Sequence, residues 1–281
     1  PSATAPRWMP DSNGLIVTVE RNDADQLLLT DRDGSWPHAL TTDSVGDHWD
    51  PRPSPDGKYI LFNLRRFDDL NRLDIILLEI ATGKQVKLYG KPSTRAVSAK
   101  WSPDGKWISF ISQETGWDEL YLIKPDGTGL HQLTKTGHDI FQYEWSPSGK
   151  QILVVVNRGG SFELELLNVE SGTMSALRKD TGLHSNPNWA KDESYITFEF
   201  ESPVTPPDIY RMELPSKQVT QITFSNPPAL QRNKKVMPEV ISYKSYDGLE
   251  IPAFLYRPEK SNGAAIVYPH GGPKDQYGFI W

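Results

Sequence analysis

Cysteine is absent from all 281 residues, which excludes disulfides, zinc–thiolate sites and a thiol nucleophile. Net positive charge is absent too: 36 acidic side chains outweigh 30 basic ones, for a formal charge of -6. The chain therefore carries no electrostatic footprint for nucleic acid or for an anionic membrane surface. No stretch approaches the ~18 consecutive apolar residues of a spanning helix. The six histidines are scattered, and none shows a metal-ligand spacing such as H-x-x-x-H. The sequence calls for no metal and no cofactor. Paired carboxylates of the kind that drive glycosidase chemistry are missing as well.

Turn chemistry, by contrast, is abundant. Glycine (21) and proline (23) together exceed their usual share of about 12%, which points to many turns and few long helices. The turns recur with a period. WMPDSNGLIV from Trp8, PSPDGKYILF from Pro53, WSPDGKWISF from Trp101, WSPSGKQILV from Trp145 and WAKDESYITF from Trp189 start 45, 48, 44 and 44 residues apart. Each copy joins an aromatic residue or Pro to a Pro-Asp-Gly turn and then to an apolar strand. Pro presets φ at the first turn position, Asp bonds its own backbone, and Gly accepts positive φ. The fifth copy has lost Pro and Gly.

A second strand-like run follows each copy, as in QLLLTDRDG, LDIILLEIATG, ELYLIKPDG, LELLNVESG and DIYRMELPS. A short third run appears in HALTTD, QVKLYG, HQLTKT and VTQITFS. With the strand before each turn this makes four strands per repeat, the pattern of a β-propeller blade. Stacked blades bury their middle strands on both faces, and Trp107, Ile108, Phe110 and Ile111 are expected in such a strand. Trp101, Trp145 and Trp189 are read as packing between blades, and Asp56 and Asp104 as turn formers. His38 and His131 occupy one repeat position and are structural. Arg65-Arg66 with Asp68-Asp69, and the loop QETGWDELY, are read as solvated loops rather than substrate contacts. Pro203, Pro206 and Pro207 are expected at an irregular blade edge.

The repeat stops after Phe224. SNPPALQRNKKVMPEV reads as a linker. EVISYKSYDGLE and IPAFLYRPEK form a hairpin around Asp247-Gly248. Ala264 to Tyr268 is a short continuous apolar run, expected as a buried strand of an α/β sheet. It leads into His270-Gly271-Gly272-Pro273. A Gly-Gly pair after a buried strand lets a backbone N–H approach a ligand closely.

The repeats resemble those of TolB-type propellers. The junction of ISYKSYDGLEIPAFLYRP with IVYPHGGP resembles the prolyl oligopeptidase family of serine peptidases, most of all its acylaminoacyl-peptidase branch. The dipeptidyl-peptidase branch uses a Glu-Glu pair, and no Glu-Glu occurs here. The resemblance implies a mainly β chain. A propeller spans about 1–228, with blades near 1–43, 44–90, 91–136, 137–180 and 181–225. Residues 229–281 then hold a linker and the first strands of an α/β-hydrolase domain. It also implies that the Gly272 N–H is an oxyanion-hole donor, with Gly271 and His270 shaping the loop. The family's G-x-S-x-G elbow does not occur, so the nucleophile is expected outside these residues and the chain alone is expected to be inactive.

The implied partner is an oligopeptide substrate that the propeller screens by size. Neither nucleic acid nor membrane is expected, and a homo-oligomer is compatible with the sequence. A cytoplasmic location follows from the acylaminoacyl-type resemblance, with secretion or a periplasmic location left open. Related propellers close with roughly six to eight blades, so N-terminal blades are expected outside the chain. The tail is expected to leave a three-stranded sheet with open, aggregation-prone edges. The alternative reading is a non-enzymatic TolB-type propeller that binds a protein partner.

Overall fold

The computed structural model describes residues 3–21, 23–227, 235–272 and 275–281. Among them no helix forms, and every regular element is a strand. Strands β1 (Ala3–Trp8), β2 (Gly14–Arg21), β3 (Ala24–Asp31) and β4 (His38–Ala39) pair in sequence order. The same meander repeats in β5 (Gly46–Pro53), β6 (Tyr59–Arg66), β7 (Leu73–Glu79) and β8 (Gln85–Tyr89). It repeats again in β9 (Ala96–Trp101), β10 (Ile108–Ser112), β11 (Glu119–Ile123) and β12 (His131–Gln132). A fourth comprises β13 (Asp139–Trp145), β14 (Gln151–Arg158), β15 (Ser161–Asn168) and β16 (Met174–Arg178). A fifth comprises β17 (Leu183–Trp189), β18 (Tyr195–Ser202), β19 (Thr205–Glu213) and β20 (Val219–Gln221), linked to the fourth by one parallel pair, Phe162 with Leu183. These are the four-stranded blades that the repeat predicts. Strand β16, from the fourth copy, has no counterpart among the third runs picked out in the sequence.

The chain divides into two compact units. Pro1–Ile140, Trp145–Ile152 and Asn168–Thr173 form one; Phe141–Glu144, Leu153–Leu167 and Met174–Trp281 form the other. In the first unit, β6 and β7 show why their sequences lack polar alternation. Ile60, Phe62, Leu64, Ile76 and Leu78 pack against Ile16 and Leu27, while Leu61, Ile75 and Leu77 pack against Ile108 and Phe110. Both faces are buried, so both are mainly apolar, with the hydrogen-bonded Asn63 and Asp74 as exceptions; each buried apolar side chain contributes about 1.5–3 kcal/mol. In the second unit, Leu153, Val155 and Leu164 meet Ile196, Phe198 and Met212 in the same way.

The repeated tryptophans bond one blade to the blade before it. The Trp101 indole donates to Arg52 O (3.2 Å), Trp145 to Ser109 Oγ (2.7 Å) and Trp189 to Glu144 O (3.2 Å). The turns form as expected. Ser54 and Ser102 donate to Asp56 and Asp104, holding those carboxyls below their usual range, and Gly57, Gly105 and Gly149 take φ near 70°.

A buried acid at the head of the third strand ties down the fourth. Glu119 Oε2 accepts from Thr134 Oγ1 (2.6 Å), and its Oε1 accepts from the amides of Thr136 (2.6 Å) and Gly137 (3.0 Å). Asp208 accepts from Thr223 Oγ1 (2.8 Å), Ser225 N (2.9 Å) and Gln221 Nε2 (3.0 Å). Burial pushes the Asp208 carboxyl up, but these donors outweigh it and hold it below the usual range.

Several expectations need correction. Trp107 lies outside β10: it closes the turn, its N–H donating to Ser102 Oγ (2.9 Å), and its half-buried ring meets His131 edge-on. Pro206 and Pro207 lie within β19, which is not an edge strand. They sit at its start, beside a register break in β18, where β20 does not reach. The tail has two paired strands rather than three, β21 (Glu239–Lys244) and β22 (Glu250–Leu255). Ala264 to Tyr268 forms no strand, and Ile266, Val267 and Tyr268 are exposed. A continuous apolar run is buried only where strands flank it, and among the described residues none pairs with it. Residues 228–234 of the expected linker, and Pro273, lie outside the described residues.

Candidate functional site

The candidate site is the His270–Gly272 loop, carried by the tail of the second unit. Its base is the β21–β22 hairpin. Lys244 pairs with Glu250, the Ser245 amide donates to Leu249 O (2.8 Å), and Gly248 takes φ 85°, which the Asp-Gly turn requires. The loop follows the exposed run ending at Tyr268. His270 Nδ1 donates to Gly271 O (2.7 Å), and its ring stands edge-on to Tyr277. Tyr277 Oη in turn donates to Pro269 O (3.3 Å). Gly271 and Gly272 are exposed, and Gly272 has φ 135°, a backbone geometry that side-chain-bearing residues rarely adopt. A Cβ on Gly271 would meet nothing within 4 Å. The glycine pair therefore presents accessible backbone, as an oxyanion donor requires.

Residues 276–281 anchor this segment to the turn between β14 and β15 and to the end of β18. The Phe279 amide donates to Gly160 O (2.8 Å), Asn157 Nδ2 donates to Gln276 Oε1 (3.2 Å), and the Trp281 amide donates to Glu201 Oε2 (2.9 Å). Phe279 is buried against Phe254 of β22, with ring centroids 4.5 Å apart. Two glycines permit this approach. A Cβ on Gly160 would lie 3.0 Å from Tyr277 O, and one on Gly278 would lie 3.0 Å from the Phe162 ring. The sequence reading missed this clamp. Its signal was the Gly159-Gly160 pair inside an otherwise regular hairpin.

Two of the scattered histidines are buried, which their spacing in the sequence does not show. His48 and His184, in the first strands of their four-stranded repeats, are fully buried. Each Nδ1 donates to a backbone carbonyl, Asp25 O at 3.0 Å and Phe162 O at 2.7 Å, and each Nε2 faces a carboxylate, Asp43 at 3.3 Å and Asp180 at 3.7 Å. Burial lowers the His184 pKa, against the raising effect of the Phe162 carbonyl. These rings brace the chain between sheets and carry no nucleophile. The residues read as solvated loops are only partly so: Arg66 pairs with Asp68 and Trp117 is exposed beside His138, but Arg65 and Arg66 end β6, Arg65 pairs with the buried Asp47, and Glu119, Leu120 and Tyr121 are buried in β11. Among the described residues no cluster of three or more metal-ligating side chains occurs. Among the described residues no helix is long and apolar enough to cross a membrane.

No family model matches the chain. It is 22% identical over 290 residues to dipeptidyl-peptidase 5 of Porphyromonas gingivalis, covering 98% of this chain and 35% of that protein. It is 26% identical over 208 residues to the uncharacterized peptidase YuxL of Bacillus subtilis, covering 58% of this chain and 32% of that protein. The chain thus spans about a third of the length of these two peptidases. Among solved structures, a puromycin hydrolase superposes over 99% of this chain and 47% of its own, with a TM-score of 0.81 and 19% identity. TolB from Acinetobacter baumannii superposes over 80% of this chain and 55% of its own, with a TM-score of 0.60 and 19% identity. An oligogalacturonate lyase shares the fold at a TM-score of 0.65 and 14% identity, so fold alone does not select the chemistry. The relatives and structures bear out the resemblance to a prolyl oligopeptidase-family propeller with TolB-like repeats.

Proposed function

We propose that this chain is the propeller and the first hydrolase strands of a serine peptidase that cleaves short peptides. One observation favours this over a TolB-type binding module. The puromycin hydrolase superposition covers 99% of the chain and so includes the tail, whereas the TolB superposition covers 80%. A binding propeller has no use for a hairpin and an apolar run that deliver His-Gly-Gly to the surface.

On this reading the β21–β22 hairpin and the run 264–268 are the opening of an α/β-hydrolase sheet, whose remaining strands would cover the exposed Ile266 and Val267. The Gly272 N–H would donate to the oxyanion of the tetrahedral intermediate, worth about 3–4 kcal/mol in the transition state. His270, held through Nδ1 to Gly271 O, shapes the loop rather than acting as a base. The nucleophile, its histidine and its acid would come from sequence beyond these residues, since no G-x-S-x-G is present. The blades would limit substrates to short peptides by screening access.

The test is hydrolysis of N-acylated and free dipeptide and tripeptide anilides by the natural protein that carries this chain. Release of anilide, lowered about 10²–10³-fold or more by Gly272→Pro, which removes the N–H and also forces the loop out of its φ of 135°, is the expected result. Ligand binding to the blades with no hydrolysis of any of these substrates would favour the binding module.

A further inference from the structure

Arg7 of β1 and Arg52 of β5 lie on adjacent first strands of the first unit and converge on a single oxygen. Arg7 Nη2 is 3.2 Å from Asp50 Oδ1, and Arg52 Nη2 is 3.0 Å from the same atom. Two guanidiniums thus share one carboxylate, leaving one positive charge uncompensated within the triad. Their hydrogen bonding is incomplete as well. The Nε atoms of both arginines are buried without an acceptor, yet the side chains remain 34% and 32% exposed. The buried Nε atoms are closed to a ligand, but guanidinium forks match a planar carboxylate, so the exposed parts of the two side chains define the chemistry that fits.

The backbone that aims these side chains is a bulge shared with other blades, which have it at Ala5, Ser98 and Asn186. Asp50 takes φ 49°, and the β5–β6 register breaks between Trp49 and Arg52. A non-glycine residue in that region costs about 1–2 kcal/mol, and a bulge re-aims side chains on its strand. The cation also recurs in the sequence: Arg7, Arg52 and Lys100 each precede the first residue of a repeat copy. The fourth and fifth copies have Glu144 and Asn188 there, so the cation is confined to the first three copies and packing between blades does not need it.

We infer that Arg7 and Arg52 form a carboxylate-binding subsite, with Asp50 as the protein's own resident carboxylate. Resting on the peptidase reading above, the ligand is the free C-terminal carboxylate of a short peptide. Asp50 then competes with the ligand, and its charge sets the affinity.

Isothermal titration of the 281-residue chain at low salt tests this, with N-acetyl-trialanine as free acid and as amide, and with acetate alone. The free acid is expected to bind at least about tenfold tighter than the amide, because an ionic hydrogen bond is gained. Arg52→Gln and Arg7→Gln are each expected to weaken the acid about tenfold, and Asp50→Asn to tighten it several-fold, since Asn keeps the left-handed backbone while removing the competing charge. Unchanged urea midpoints would show that these variants fold. Equal binding of acid and amide, unmoved by Asp50→Asn, would overturn the subsite and leave the peptide reading standing. Acetate binding with the expected variant pattern, but no binding of either peptide, would keep the carboxylate site and remove the peptide as its ligand. No binding of any probe would overturn the subsite.

Discussion

Replacing Gly160 with Ala isolates the clamp that carries the candidate loop. Gly160 has φ 92°, so any Cβ there strains the hairpin by about 1–2 kcal/mol whatever surrounds it. The same Cβ would lie 3.0 Å from Tyr277 O and 3.1 Å from the Phe254 ring, so the tail backbone must retreat. The docking it disturbs rests on one buried aromatic side chain, about 1.5–3 kcal/mol, and one amide hydrogen bond, about 0.5–1.5 kcal/mol. Even a partial retreat removes much of that. The neighbouring Gly159 supplies the control. Its φ is 68° and its Cβ would meet nothing within 4 Å, so Gly159→Ala carries strain without the collision. Both variants should lower the urea midpoint. Only Gly160→Ala should speed amide exchange in the peptide 275–281, about tenfold or more at Phe279. Equal exchange in the two variants would show that the Gly160 contact does not hold the tail.

Three further outcomes follow from the blades. Glu119→Ala strands the Thr134 hydroxyl and the Thr136 and Gly137 amides, and should cost about 3–5 kcal/mol in urea unfolding; a loss near 0.5 kcal/mol would refute its role as a buried tie. Trp145→Phe keeps most of the apolar area but leaves Ser109 Oγ without the indole donor, and should cost about 1–2 kcal/mol by the same assay. His184 has a folded pKa below its unfolded value near 6.5, so the folded state favours the neutral ring. Its stabilisation is complete above that value and is lost as pH falls, so the urea midpoint should drop between pH 7.5 and about 5.5, and drop less in His184→Phe. A midpoint that rises on acidification would reverse the assignment.

The propeller was legible because its code is local. A Pro-Asp-Gly turn needs residues of fixed conformation, and four near-equal spacings between five copies leave little choice of architecture. Trp101, Trp145 and Trp189 could be assigned to blade packing because one residue type recurs at one register. What escaped the sequence depends on long-range geometry. Trp107 sits at the closing position of a turn, which hydropathy does not separate from the strand beside it. The Pro206-Pro207 pair is tolerated in an interior strand only because β20 stops short of it. The apolar run 264–268 carries a strand pattern, but pairing decides strands and no partner strand is present among the described residues. The Gly160–Phe279 clamp joins positions more than a hundred residues apart, and the Arg7–Asp50–Arg52 triad depends on a bulge that propensity does not mark.

The central claim is tested most directly by purifying the natural protein with an antibody against blade residues 46–132, treating it with a fluorophosphonate, and mapping the adduct. The account predicts a single labelled serine, in a G-x-S-x-G segment outside these 281 residues but on the same polypeptide. Absence of an adduct on every polypeptide that carries this sequence would contradict it.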